Sequence, residues 1–278
     1  MNQRIESERA KQARKENVVH LIHDSTDRAK REQEKKDTIL RLLRTEIYTR
    51  PMVLGELLGI GKRAIRNTIE SLEKDGLVKR HSVRPMSDME SVVVVGITER
   101  GQSLAFDPAN GEAPVDRYFD PKKYSLMQLQ HHVDTQRLRI AAEGIGYVEE
   151  WLPGSMLGAR KKGEKHPDVV VYASFGQRIA IEVERSIKSP KRYRSIFRYH
   201  LESLSSGKWH WVVWVSPTES ISDRVRALVL PEAEYENGAV DLLAERHREQ
   251  LFFCDYKNFV ACLQNIESLV YPSVMPEE

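Results

Sequence analysis

The feature that most constrains the fold of this chain is a set of three short apolar runs: DVVVYAS at 168–174, RIAIEVE at 178–184 and WHWVVWVS at 209–216. Short runs rich in β-branched and aromatic residues read as strands. Only the turn Phe175-Gly176-Gln177 separates the first two, which predicts a hairpin. Between the second and third lies SPKRYRSIFRYHLESL, a predicted helix entered through Ser189 and Pro190, a cap followed by a proline in the first turn. Further elements flank this core. LMQLQHHVDTQRLRIAAEG is an amphipathic helix with Leu126, Leu129, Val133 and Ile140 on one side, and YVEEWL is a short strand. SISDRVRALV is another helix and LFFCDY another strand. The order α-β-β-β-α-β predicts a mixed sheet with helices packed on it, across residues 124–265.

At 278 residues the chain has room for a second core. Pro108, Gly111, Pro114 and Pro121 punctuate residues 107–123, which read as a linker. Upstream, residues 36–106 read as three helices and a hairpin. DTILRLLRTEIY at 37–48 puts Ile39, Leu40, Leu43 and Ile47 on one helical face, and VLGELLG ends a short second helix at Gly59. In the third, KRAIRNTIESLEKDG, Ile65, Ile69 and Leu72 face a core, while Lys62, Arg63, Arg66 and Asn67 fall on the outer side near its start. Gly76 caps it. LVKRHSVR, which carries Lys79 and Arg80, and SVVVVGIT follow as strands joined by the polar turn PMSDME. TERGQSLAF closes the segment as a helix with Thr98 at its N-cap. This stretch resembles the winged helix-turn-helix superfamily, with SLEKDGLVKR and TERG its most typical phrasing. The resemblance implies a reader of duplex DNA, with Lys62, Arg63, Arg66 and Asn67 meeting base edges and phosphates, and Lys79 and Arg80 adding phosphate contacts. A winged helix used for packing or dimerisation is the alternative.

Residues 1–35 are almost wholly polar and read as a charged arm that cannot fold alone. A polar insertion spans roughly 231–250, and residues 266–278 read as a tail. The longest apolar run, Val92 to Ile97, is too short to span a bilayer, and the N-terminus is charged where a signal peptide needs an apolar stretch. Cys254 and Cys262 offer neither zinc spacing nor a disulfide framework. A soluble, cytoplasmic protein with no membrane partner is expected.

The chemistry falls on the hairpin. Asp168 begins one strand in His166-Pro167-Asp168, and Glu182 and Glu184 end the next. Side chains two apart share a face of a strand, so the two glutamates point together, and hairpin pairing sets Asp168 across from them. Three converging carboxylates would suit Mg²⁺ or Mn²⁺, which can activate water against a phosphate. Lys188 follows at the turn into the next helix, placed to hold a phosphate. A Glu-x-Glu pair on a solvated sheet face is the plainer reading. His132 reads as surface, Glu143, Glu149 and Glu150 as solvated carboxylates, and Tyr199 as packing rather than a covalent nucleophile. Net charge is only +2, yet residues 158–200 hold 11 Lys and Arg against four acids. That excess rims the proposed site: Arg160, Lys161, Lys162 and Lys165 precede it, and Lys191, Arg192, Arg194 and Arg198 follow on the helix. Such a rim suits a polyanion.

Pro167-Asp168 with Glu182-Val183-Glu184 resembles the PD-(D/E)xK nuclease-like superfamily, a restriction-endonuclease-like fold. The lysine expected two residues after the glutamate is replaced by Glu184, with Lys188 a candidate substitute. More narrowly, the chain resembles replication-relaxation proteins and MOBC-type mobilisation relaxases over residues 36–230. The stretches that carry this are Leu129-Gln130-His131 with Arg139, Glu149–Leu152, His166–Val170, Ala180–Glu184, Lys188, Tyr199 and the strand Trp211–Trp214. The resemblance implies a metal-dependent DNA endonuclease, a nickase or relaxase, acting at a transfer or replication origin of plasmid or mobile-element DNA. Catalysis would rest on Asp168, Glu182, Glu184, Lys188 and His131, on double- or single-stranded DNA, beside a relaxosome accessory protein. A palindromic site would suit a homodimer. The alternative is a non-catalytic plasmid replication or copy-control protein with a degenerate nuclease-like domain.

Overall fold

Alternation along the strands, predicted from sequence, decides how the second half of the molecule is layered. In a computed structural model that describes residues 25–83, 91–107, 109, 117–158, 165–230 and 247–271, the chain divides into two units, Met1–Tyr124 and Ser125–Glu278. The first is a set of helices with a small antiparallel sheet. The second is a five-stranded mixed sheet with helices. Among the described residues no helix is long and apolar enough to cross a membrane.

The first unit begins with α1, Ser25–Glu46, which buries Ile39, Leu40 and Leu43. It starts well before the expected residue 37, so the last part of the predicted polar arm is helical; residues 1–24 lie outside the described ones. The early turns bury almost nothing and are supported by side-chain pairs such as Gln33 with Asp37 at 2.8 Å. The helix also stops earlier than expected. Ile47 takes a left-handed φ of 69°, and Tyr48–Thr49 forms β1, paired with β3 (Val92–Ile97). Pro51 opens α2, Pro51–Leu58, and Gly59 closes it in the left-handed conformation. α3, Lys62–Lys74, buries Ile65, Ile69 and Leu72 as its spacing requires. β2, Val78–Val83, pairs antiparallel with β3, and Thr98 caps α4, Glu99–Ala105, by accepting from the Gly101 amide at 3.0 Å. The PMSDME turn lies outside the described residues.

The predicted linker is only partly one. Phe119 is buried and fills a hole left by Gly96, where a Cβ would stand 2.5 Å from the Phe119 Cβ. Its ring meets Tyr48 at 4.8 Å and His81 at 5.0 Å, and Gln102 Nε2 donates to the Arg117 carbonyl at 2.6 Å. An aromatic over a glycine thus pins the end of the segment to the sheet of this unit.

In the second unit, Ser125 caps α5, Leu126–Gly144, in a reciprocal capping box with Gln128. Then follow β4 (Val148–Pro153), β5 (Val169–Ala173), β6 (Arg178–Val183), α6 (Pro190–Ser205), β7 (Trp211–Ser216), α7 (Glu219–Val229), β8 (Leu251–Asp255) and α8 (Phe259–Val270). The sheet order is β4-β5-β6-β7-β8. β4, β5 and β6 are antiparallel neighbours, whereas β6, β7 and β8 run parallel. One face carries Val169, Val171, Ile181, Val183 and Val213 against Leu138 of α5 and Phe259, Leu263 and Ile266 of α8. The other carries Val170, Ala180, Val212 and Trp214 against Tyr193, Ile196 and Phe197 of α6 and Val225 of α7. Both faces are therefore covered. Ile266 is fully buried, so the predicted tail at 266 instead completes a core helix; residues 272–278 lie outside the described ones. Residues 231–246 of the polar insertion do too, but its end is tied down, with Gln250 Nε2 donating to the His210 carbonyl at 2.9 Å.

Candidate active site at one edge of the sheet

Parallel strands β6, β7 and β8 end at the same edge, and antiparallel β5 starts there. In sheets of this kind, ligands bind outside the carboxyl ends of parallel strands. Asp168 sits one residue before β5, and Glu184 one residue past β6, with its amide donating to the Val215 carbonyl at 2.9 Å. One step beyond the pair Val169–Ile181, Asp168 stands across from Glu182.

Each carboxylate has its own partners. Asp168 Oδ2 accepts from the Val183 amide at 2.8 Å and lies 3.2 Å from His131 Nε2 on α5. An ionised carboxylate only accepts, so the imidazole donates. Glu182 Oε1 is 2.9 Å from His200 Nε2, and both side chains are buried. His200 sits between the rings of Trp209 and Trp214, at 5.5 and 5.3 Å. Glu184, with no exposed surface, forms an ion pair with Lys188 and accepts from the Tyr193 hydroxyl at 3.3 Å. The plainer alternative, a Glu-x-Glu pair on a solvated sheet face, does not hold: α6 and α7 cover that face, and both glutamates are interior.

Electrostatics tie these groups together. Burial raises the Glu184 carboxyl above its ordinary range, and the charges of Glu182 and Asp168 raise it further, against the opposing pull of Lys188. Burial also pushes Asp168 up, but the His131 hydrogen bond and charge, the Val183 amide and Lys188 outweigh it and hold it below the usual range. For His131, burial lowers the imidazole, yet Asp168 more than compensates and leaves it raised. Burial lowers the ammonium of half-buried Lys165, which senses Glu182 and Glu184 as favourable charges and Lys188 and Arg192 as unfavourable ones.

Linkage fixes a sign for the His131–Asp168 pair. The Asp168 contribution exists above the unfolded carboxyl value of about 3.9 and is lost as pH falls through its lower folded value. The His131 contribution is full below the unfolded imidazole value of about 6.5 and is lost as pH rises through its raised folded value. The pair is strongest between those two limits. Urea midpoints of His131→Gln should therefore decline less than those of the wild type from about pH 6 to pH 8; parallel declines would show that the pair carries no such linkage.

Two carboxylate oxygens, Asp168 Oδ1 and Glu182 Oε2, make no hydrogen bond among the described residues. Hard oxygen donors of this kind suit Mg²⁺ or Mn²⁺. The expected three-carboxylate cage is not formed, however: among the described residues no three His, Cys, Asp or Glu side chains lie close enough together to hold an ion. Lys188 and Tyr193 engage Glu184 instead. Mg²⁺ is commonly held by one or two carboxylates, with water and phosphate completing the shell.

Several residues that sequence reasoning passed over complete the edge. Besides His200 and Tyr193, Asp134 on α5 binds Arg185, accepts from the Tyr256 hydroxyl at 2.9 Å and is nearly buried. His131 and Asp134 are three apart on one helix, the single signal in the sequence that could have joined them. Gly154 is another. Its amide donates to the Asp168 carbonyl at 2.8 Å, and a Cβ there would stand 2.0 Å from the Pro167 carbonyl oxygen. Tyr199 is bound by Lys208 at 2.8 Å, and Glu143 by Arg139 at 2.7 Å, while Glu149 and Glu150 are exposed.

Lys191, Arg192, Arg194 and Arg198 are exposed on α6, whereas Arg160, Lys161 and Lys162 lie outside the described residues. In the first unit Lys62, Arg63, Asn67 and Lys79 are exposed, and Arg66 pairs loosely with Glu70 at 3.8 Å. Arg80 is more committed: Glu73 accepts from both its backbone amide and its Nε at 2.7 Å, which leaves it a weaker phosphate contact than its position suggests. Comparison with family models, with curated proteins and with solved structures finds no match to this chain.

Proposed function

We propose that this chain is a DNA nickase of the relaxase type, in which a winged helix in the first unit reads duplex DNA and a nuclease-like second unit cuts one phosphodiester at a plasmid or mobile-element origin. The observation that carries this reading is the gathering of Asp168, Glu182, Glu184, His131 and Lys188 at one sheet edge beside the exposed basic face of α6. Lys62, Arg63 and Asn67 on α3 are exposed where a helix-turn-helix meets the major groove. Asp168 and Glu182 would hold Mg²⁺ or Mn²⁺, which supplies Lewis acidity toward the scissile phosphate and lowers the pKa of bound water. His131, oriented by Asp168, accepts or returns a proton at Nδ1. Lys188 shifts from Glu184 toward the incoming phosphate, and α6 holds the flanking backbone. The protein would act in the cytoplasm, with a relaxosome accessory protein beside it.

A second reading, a DNA-binding replication or copy-control protein without cleavage, is favoured by the partner that each carboxylate already has. Nicking of supercoiled origin DNA with Mg²⁺ or Mn²⁺ separates the two. Wild type should convert supercoiled to open-circular DNA, and Glu182→Ala and Glu182→Gln should lose that conversion by two orders of magnitude or more while binding DNA as wild type does. Equal nicking by all three proteins, or none by any with binding intact, overturns the cleavage reading.

A further inference from the structure

We infer that Arg185, held by Asp134 and Gln130, is the guanidinium that grips a backbone phosphate at the mouth of the site; the inference rests on the reading of the second unit as a surface for nucleic acid. Arg185 directly follows Glu184, where β6 leaves the sheet, so it stands at the edge where Asp168, Glu182 and Glu184 collect. Its Nη1 pairs with Asp134 Oδ2, and its Nη2 donates to Gln130 Oε1 at 3.4 Å. A guanidinium has five N–H donors. Among the described residues two are engaged, one of them at the limit of a hydrogen bond, and the side chain keeps 31% of its surface open while that of Asp134 keeps only 11%. Guanidinium and carboxylate frequently meet two to two. Here, among the described residues, a single Asp134 oxygen is engaged and the guanidinium side chain stays partly exposed.

The support behind it comes from more than one element. Asp134 Oδ2 also accepts from the Tyr256 hydroxyl at 2.9 Å, which ties α5 to the loop after β8. Tyr256 in turn is buried enough that its phenol is pushed up to about 12, and it senses Arg185 and Arg137 as stabilising cations and Asp168 as an opposing anion. Three elements, α5, the end of β6 and the loop after β8, thus set one cation beside the carboxylate edge. Prepositioned charge of this kind costs no reorganisation when a phosphate arrives. Lys188, three residues further on, is occupied by the Glu184 carboxylate, which leaves Arg185 the less committed of the two cations.

The test uses the full chain with a labelled duplex oligonucleotide, without divalent metal, titrated over a series of salt concentrations. Removing one phosphate contact lowers the slope of log affinity against log salt by about 0.9. Arg185→Gln should show that drop together with weaker binding at low salt, and Arg185→Lys should keep the slope. Asp134→Asn, which leaves the guanidinium unanchored, should weaken binding with the slope retained, against the strengthening that loss of a negative charge alone would give. An Arg185→Gln protein with the wild-type slope and affinity, whether or not its melting temperature falls, overturns the inference. The nicking assay fails separately: loss of the phosphate contact in a chain that never cuts leaves this inference standing and removes the nickase reading, whereas wild-type nicking with an unchanged slope and unchanged kcat and KM in Arg185→Gln does the reverse.

Discussion

Alanine at Gly154 should destabilise the second unit by about 3 kcal/mol and abolish any activity that depends on Asp168. The added Cβ would stand 2.0 Å from the Pro167 carbonyl oxygen, 3.2 Å from its carbonyl carbon and 3.3 Å from the Asp168 carbonyl oxygen. All three are backbone atoms, so no rotamer change makes room. Relief requires parting the two strands, and that breaks the Gly154 amide bond to Asp168 at 2.8 Å and displaces the His166 ring, whose Nδ1 lies 3.0 Å from the Gly154 carbonyl. The carboxylate would then lose its register with the Val183 amide and His131. Urea unfolding followed by tryptophan fluorescence is a selective measurement, because all four tryptophans, Trp151, Trp209, Trp211 and Trp214, belong to this unit. A midpoint unchanged from wild type would mean that the strands separate freely at this point and that the glycine is not required.

The second large effect concerns the interior pair. Phenylalanine at His200 keeps the aromatic packing against Trp209 and Trp214 but removes the partner of Glu182, whose side chain is only 7% exposed. Deleting one member of a buried polar pair of this kind costs about 3–5 kcal/mol, because the remaining group has lost water and gained nothing. Replacing both, as in Glu182→Leu with His200→Phe, should recover most of that loss, since well-packed apolar substitutes for a buried pair are often neutral. A double-mutant cycle measured by the same fluorescence transition checks this. If the single substitution costs less than about 1 kcal/mol, Glu182 reaches water by another route and the coupling argued here is absent.

How far the sequence could be read differs between elements and contacts. Strand alternation in VVVYA and IAIEV predicts the hairpin, and the register Val169 with Ile181 follows from the turn at Phe175–Gln177. Ile65, Ile69 and Leu72 predict the buried face of α3, and Thr98 predicts a cap. These signals are local, since each depends on residues within a few positions of one another. The errors have the same origin. Ile47 fits the helical spacing of α1, yet it turns out of the helix so that Tyr48 can pair with Gly96, a partner too distant in sequence to be seen. Phe119 reads as linker because the glycine that receives it sits in β3, distant in sequence. Ile266 reads as tail because one apolar face of a short helix is legible only against the sheet that it covers.

Residue order along the chain is enough to set which residues alternate, which caps and turns separate them and which acidic side chains share one hairpin, because period and turn chemistry act over a few residues. Tertiary structure alone decided what those acids touch. Packing of α6 and α7 made the face of the two glutamates an interior one and paired Glu182 with His200 and Glu184 with Lys188 and Tyr193, while α5, the end of β6 and the loop after β8 brought Asp134, Arg185 and Tyr256 together. Burial and charge proximity depend on distance in space, and a chain folded across five strands brings together residues whose separation along the sequence carries no trace of it.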